Sequence, residues 1–156
     1  MTSAMPSVLA LTTQDHATVQ TLLAQAHLPC EDLSPEALRL FLGVYDQDAP
    51  REPTQDRLIG IVGLEAHGGD GLLRSLFVLP EHRGRGLAHA LVLAQEAQAR
   101  RLGLSRLVLL TETAADFFRT LGYRDTDRDT LSAGLLASTQ FQQLCPASAR
   151  CLSKTL

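Results

Sequence analysis

Apolar positions along this chain change their spacing several times, and each change marks a new element. Val8 to Thr12 predicts a short strand, and Asp15 to about Ala26 predicts a helix with Ala17, Leu22, Leu23 and Ala26 apolar. Asp15 is suited to cap that helix. His27 to Pro35, with two prolines and two acids, reads as a loop. Leu40 to Tyr45 predicts a strand, Asp46 to Asp56 a polar connection, and Arg57 to Ala66 the next strand. Gly68-Gly69-Asp70-Gly71 predicts a tight turn into a strand from Leu72 to Leu79. A long helix from Gly84 to about Leu102 follows, with Leu87, Leu91, Ala94 and Leu102 on one stripe and Gly103 as its end. Leu107 to Leu110 is an aliphatic run of buried-strand type. Tyr123 to Thr130 predicts a sixth strand, Leu131 to Leu144 contains a helical stretch, and Ala149 to Thr155 alternates as a last strand.

These elements define an α/β chain, expected to be a single domain over residues 1–156. Leu72–Leu79 and Leu107–Leu110 form a parallel pair, joined by a right-handed crossover helix within a mixed sheet. Composition changes this picture little. Apolar residues make up 45% of the chain, enough to bury a core. The longest apolar runs are far short of a membrane span, and the N-terminus lacks a basic-then-apolar signal pattern. The formal charge is −3 with Lys and Arg dispersed, which argues against a nucleic-acid surface. Cys30, Cys145 and Cys151 form no Cys-x-x-Cys pair, so reduced thiols in a cytoplasmic protein are expected.

The candidate chemistry lies between Leu72 and Ala88. Leu76-Phe77-Val78-Leu79 ends at Pro80, and Arg83-Gly84-Arg85-Gly86-Leu87-Ala88 leads directly into the long helix. A strand that turns through glycines into a helix N-terminus presents unpaired backbone N–H groups and the positive end of the helix dipole. Gly84 and Gly86 allow close phosphate approach, while Arg83 and Arg85 add charge. The spacing is neither that of a P-loop nor of a dinucleotide fingerprint, whose third glycine would fall on His89. A pyrophosphate site is the reading.

Arg83-x-x-Gly86-x-Ala88 resembles the Arg/Gln-x-x-Gly-x-Gly/Ala signature of the GCN5-related N-acetyltransferases, the GNAT family. Thr111-x-x-Ala114-x-x-x-Phe118-x-x-x-Gly122-Tyr123 is similar to that family's Asn-x-x-Ala-x-x-x-Tyr-x-x-x-Gly-Phe/Tyr frame, with Thr and Phe replacing Asn and Tyr. The resemblance implies a mostly antiparallel sheet of six or seven strands, flanked by helices, whose central parallel pair splays apart. It implies acetyl-CoA as co-substrate and direct acyl transfer to an amine. Leu76, Phe77 and Val78 would hold the pantetheine arm, and the Val78 N–H would face the thioester carbonyl. Arg83 to Ala88 would hold the pyrophosphate, with Thr111, Ala114 and Phe118 also on the cofactor side.

The amine arrives as an ammonium ion and must lose a proton, and the departing thiolate must gain one. Where many family members place an acidic residue on the central strand, this chain has apolar residues or Arg74; their Tyr is Phe118. Glu65, Glu112 and the Glu31/Asp32 pair are candidate bases, Glu65 foremost because it interrupts an apolar strand. Water is the expected acid, with Tyr123, whose Gly-Tyr setting reads as a core aromatic, as the side-chain candidate. His67, His82 and His89 lack metal-site spacing, and no metal is expected.

Arg74 stands inside an apolar strand, on the face of Leu72 and Leu76 by period-two geometry. A buried guanidinium needs an anion, either an internal carboxylate or a substrate carboxylate. Arg74 with Ser75 is therefore the candidate acceptor contact for an amino-acid-like amine. Leu72 to Ser75, Thr111 to Tyr123 and Gln140 to Ala149 further resemble the small acetyltransferases of arsenic resistance. That likeness implies a detoxification role, with an amine-bearing arsenical or a glutamate-analogue antibiotic as acceptor. Two other readings stay open: a CoA-binding regulator of weak activity, and a protein binding arsenic through its cysteines. The expected partner is a small-molecule amine, with no nucleic acid and no membrane, and homodimerisation left open.

Overall fold

The period-two segments become strands of one mixed sheet. A computed structural model of the chain describes residues 7–46, 58–138, 141 and 149–156. In chain order its elements are β1 (Val8–Ala10), α1 (His16–Gln25), β2 (Leu42–Tyr45), β3 (Leu58–His67), β4 (Asp70–Val78), α2 (Leu87–Arg101), β5 (Arg106–Thr111), α3 (Ala115–Thr120), β6 (Arg124–Asp125), α4 (Ala133–Leu136) and β7 (Arg150–Thr155). The strand order is β1-β2-β3-β4-β5-β7-β6. β4 and β5 are parallel, with Asp70 to Leu72 opposite Arg106 to Val108, as the crossover helix requires. The α/β class and the mixed, mostly antiparallel sheet flanked by helices are therefore as expected, with seven strands. The residues group into two compact units, Met1–Gly63 with Ser75–Gln95, and Leu64–Arg74 with Glu96–Leu156.

In the first unit, α1 places Val19, Leu22 and Leu23 at i, i+3 and i+4 into a core with Leu11, Leu38, Phe41, Leu58 and Ile61. Asp15 does not cap α1. It belongs to a capping box one turn earlier, where its carboxylate accepts the Thr12 N–H at 2.8 Å, and it also accepts the Tyr45 hydroxyl at 2.8 Å. The buried stripe of α2 also differs from the expected one. Leu102 is exposed, whereas Gln95 is wholly buried and donates to the Leu40 and Val62 carbonyls at 2.7 and 3.3 Å. A buried amide that makes such bonds has its polar atoms satisfied, so a polar side chain is accommodated there.

In the second unit β5 is central, with Leu107, Val108 and Leu109 buried and β7 antiparallel along its length. Leu72, Val108, Leu131, Leu135 and Cys151 form its apolar cluster, against which Phe141 packs. Arg106 holds Asp70 at 2.9 and 3.0 Å, and the Ser132 N–H donates to the same carboxylate at 3.0 Å. Burial pushes the Asp70 carboxyl up, but the Arg106 and Ser132 hydrogen bonds outweigh it and hold it below the ordinary range. The expected sixth strand shrinks to Arg124–Asp125, because Asp127 caps a 3-10 turn at Arg128–Thr130. The helical stretch after Leu131 is α4, capped by Ser132. The connection over residues 47–57, Cys145 and most of residues 139–148 lie outside the described residues.

Candidate functional site

Of the expected cofactor residues, Leu76 to Val78 and Arg83 to Ala88 stand in the first unit, at the end of β4 and the start of α2, whereas Thr111, Ala114 and Phe118 belong to the second. Ser75 adopts a left-handed conformation with φ 61° inside the strand, a placement costing a non-glycine residue on the order of 1–3 kcal/mol. It interrupts the pleat directly after Arg74, so the period-two argument linking Arg74 to the face of Leu76 ends there. Further on, the Leu79 N–H donates to Ile59 O of β3 at 2.9 Å. Neighbouring residues of an antiparallel strand present their backbone groups to opposite edges, so the Val78 N–H and C=O turn away from β3. The Val78 carbonyl accepts the Arg83 Nε–H at 3.0 Å, and the Arg83 guanidinium lies 5.6 Å from the centre of the Phe77 ring.

Pro80–His82 then form a single 3-10 turn, and Gly84 and Gly86 follow with φ of 81° and 77°. A Cβ at either glycine would meet nothing within 4 Å. Their left-handed backbone, and not crowding, is what demands glycine, and the space above the loop is open. The Ala90 N–H donates to Gly86 O at 3.0 Å, which makes Gly86 the cap of the 15-residue α2. Leu87 is buried and anchors the first turn, while Arg83 and Arg85 are exposed. Arg85 Nη1 stands 3.5 Å from His82 Nδ1, and His82 Nε2 lies 3.9 Å from Asp46. A long helix with free N–H groups behind two left-handed glycines and two arginines can hold a diphosphate.

In the second unit, Arg74 is the buried charge that the sequence singles out, with its side chain 0% exposed. Its counter-ion is internal: Arg74 Nη1 donates to Glu65 Oε2 at 2.6 Å. The other Glu65 oxygen lies 2.9 Å from His67 Nε2, and the Glu65 side chain remains 25% exposed. A carboxylate held by two fixed partners, with one side in solvent, can receive an ammonium group or its proton. Arg74 needs no substrate to satisfy its charge, so its burial alone no longer argues for a substrate carboxylate. Glu112 and Glu31 are exposed, without comparable partners among the described contacts.

Tyr123 is the candidate that the structure reassigns. It is 2% exposed, and its hydroxyl donates to Glu96 Oε2 at 3.0 Å. Glu96 also accepts from Lys154 Nζ at 3.1 and 3.3 Å, and Lys154 donates to Leu121 O at 2.9 Å. Burial, then the charge and hydrogen bond of Glu96, push the Tyr123 phenol well above its ordinary value. A phenol that binds its proton more tightly and shares it with a buried carboxylate is a structural strut, not an acid for a leaving group. Phe118 packs edge-on against Tyr123, with centroids 5.5 Å apart, and is buried itself. Thr111 ends β5 and accepts the Ala114 N–H at 2.9 Å, which sets the start of α3.

Glu96 and Lys154 escape sequence reasoning. On a 15-residue amphipathic helix a single Glu reads as a solvated position, and Lys154 reads as the outward side of an alternating strand. Burial pushes the Cys151 thiol up, which disfavours the thiolate that a soft ion would need. Among the described residues no three His, Cys, Asp or Glu side chains gather as a metal site, and no helix is long and apolar enough to cross a membrane.

The chain belongs to the GNAT acetyltransferase family, whose domain model matches residues 39–125. No curated protein sequence matches it significantly. Among solved structures it is similar to Rv2747 of Mycobacterium tuberculosis in complex with CoA and NLQ, with 20% identity, 97% of this chain and 99% of that one covered, and a TM-score of 0.78. It is also similar to N-acetylglutamate synthase of Neisseria gonorrhoeae, complexed with coenzyme A and N-acetyl-glutamate. There the identity is 17%, the coverage 99% of this chain and 36% of that one, and the TM-score 0.81. The PaiA N-acetyltransferase of Thermoplasma acidophilum, in complex with coenzyme A, matches at 15% identity over 98% of this chain and 100% of that one, with a TM-score of 0.66. At these identities the likeness establishes the GNAT fold.

Proposed function

We propose that this protein transfers an acetyl group from acetyl-CoA to the amine of a small, amino-acid-like molecule by direct attack. The observation that carries this reading is the open Gly84/Gly86 loop at the head of α2, which follows directly on the strand end of Leu76 to Val78. The loop supplies backbone N–H groups and arginine charge for the pyrophosphate, with Leu87 and Ala88 completing the first helical turn. The Val78 N–H, turned away from β3, is the donor for the oxyanion that develops on the thioester carbonyl. Thr111, Ala114 and Phe118 complete the cofactor side.

On the acceptor side Glu65 takes the proton from the ammonium group. The neutral amine then attacks, a C–N bond forms, the C–S bond breaks, the thiolate leaves with the electron pair, and the nitrogen gives its second proton to water. A thiolate of pKa about 8–9 departs without a dedicated acid and takes its proton from water. Arg74, with Ser75 beside it, fixes the rotamer of Glu65 from within the sheet, and Arg74 is the residue that would meet a substrate carboxylate if the Glu65 pair opens. The amino-acid class is supported by the relatives solved with N-acetyl-glutamate and with L-arginine. The resemblance to arsenic-resistance acetyltransferases adds amine-bearing arsenicals and glutamate-analogue antibiotics to the acceptors worth testing.

The test is thiol release from acetyl-CoA across a panel of amino acids, each beside its decarboxylated amine. Turnover that requires the carboxylate, and that Arg74→Ala lowers about ten- to a hundredfold with partial recovery in Arg74→Lys, is the expected result. Equal loss on both members of each pair would make Arg74 a positioning residue for Glu65 alone. No turnover with any amine, in a protein that still binds CoA, would favour a CoA-binding regulator.

A further inference from the structure

Arg83 has two tasks in this geometry, and only one of them concerns phosphate. Its Nε–H is committed to the Val78 carbonyl at 3.0 Å, and its guanidinium plane rests by the Phe77 ring at 5.6 Å. A guanidinium is planar and rigid, so fixing Nε and one face fixes the direction of the remaining N–H groups. Those groups belong to an exposed side chain at the mouth of the Gly84/Gly86 loop. Val78 in turn presents its N–H and C=O on the edge opposite β3, where nothing in β3 holds them. The Val78 C=O shares its planar peptide unit with the Leu79 N–H, which donates to Ile59 O, so the Arg83 bond and the Ile59 bond hold that unit from opposite edges, and the Val78 N–H lies one Cα before it.

We infer that Arg83, besides standing at the pyrophosphate loop, is a positioning residue that aligns the Val78 main chain, which meets the thioester. The inference rests on the acetyl-CoA reading above and adds a link to it. Arg83 holds the Val78 carbonyl at 3.0 Å with or without a phosphate on the loop, and this contact steadies the strand end that carries the oxyanion donor. A residue serving only as phosphate charge would govern affinity alone. A residue with this double contact governs turnover as well, including turnover of a donor that has no pyrophosphate.

The experiment compares wild type, Arg83→Met, Arg83→Gln and Phe77→Leu on two donors, acetyl-CoA and the acetyl thioester of pantetheine, with an amine accepted by the wild type. Arg83→Met should lower kcat at saturating acetyl-CoA about tenfold, and should lower kcat/KM for acetyl-pantetheine by the same factor. Arg83→Gln keeps an N–H able to reach the Val78 carbonyl but loses the charge. It should recover most of kcat on both donors while KM for acetyl-CoA stays raised. Phe77→Leu keeps the main chain proposed for the pantetheine arm but removes the ring on which Arg83 rests, and should lower kcat about threefold on both donors, which tests the link even if Arg83→Met does not fold. Raised KM for acetyl-CoA with unchanged kcat, and unaltered use of acetyl-pantetheine in all variants, would overturn the positioning role. Calorimetry with CoA on the wild type separates the two levels. Absence of binding there would remove the acetyl-CoA reading itself, whereas normal binding with kcat unaltered in the variants would remove only the role of Arg83.

Discussion

Two carboxylates in the second unit are held in similar ways and differ in their access to water. Glu65 takes Arg74 at 2.6 Å and His67 at 2.9 Å, and Glu96 takes Tyr123 at 3.0 Å and Lys154 at 3.1 Å. The difference is water. The Glu65 side chain is 25% exposed, whereas that of Glu96 is 2% exposed. A dry carboxylate whose oxygens are both occupied is a cross-link, here joining the end of α2 to β7 and to the residue after Gly122. A carboxylate with two such partners and an edge in solvent can still exchange protons with an incoming group, whereas Glu96 adds a third partner, Arg100, at 3.9 Å. Access, more than partner count, separates structure from chemistry.

Breaking each cluster in turn should show this. The largest effect is expected at Glu65. Glu65→Gln keeps an acceptor for Arg74 but no longer takes a proton, so kcat/KM for the amine should fall about a hundredfold or more, with CoA affinity unchanged. Full activity in this variant would remove Glu65 as the base and leave ordered water. Next comes Glu96→Gln, which leaves Lys154 Nζ without its anion. It should lose about 2–3 kcal/mol of stability by urea denaturation, while kcat per folded molecule stays within a few-fold. A stable but inactive protein would contradict the structural role.

Asp70 sharpens the comparison as an ion pair that is nearly dry on one side only, with side chains 8% exposed for Asp70 and 23% for Arg106. Its carboxyl is held below the ordinary value in the folded chain, so the bond contributes above that ordinary value, about 3.9, and is lost as pH falls through the folded one. Asp70→Asn should therefore be less stable than wild type by about 1–2 kcal/mol at pH 7, with the gap closing as pH falls below about 4. A gap independent of pH would mean that shape, not charge, carries the interaction. The smallest effect is expected at Phe118. Phe118→Tyr restores the family's hydroxyl in a buried setting and should change kcat by less than about threefold, because water already serves the thiolate.

What was legible in the sequence follows the same division. The loop from Arg83 to Ala88 depends on local backbone rules, and its glycines adopt the left-handed conformation that those rules anticipate. The parallel pair and its crossover helix also follow from periodicity. Arg74 was noticeable because a charge inside an aliphatic strand breaks the pattern, but its partner nine residues earlier could not be chosen between an internal and a substrate anion. Glu96, Gln95 and Lys154 were not legible, since a polar residue on a helix or alternating strand is the ordinary surface pattern until tertiary packing buries it. The Gly-Tyr setting did suggest a core aromatic, but the partner of the Tyr123 hydroxyl, Glu96, was not legible.

The central claim is that the Gly84/Gly86 loop receives the pyrophosphate of acetyl-CoA. Isothermal calorimetry of CoA into wild type and Gly86→Asp tests it directly. An Asp there is strained at φ 77° and sets a carboxylate where the phosphates should sit, so wild-type binding and no measurable binding in a folded Gly86→Asp protein is the expected result. Equal affinity in the two proteins would contradict the site.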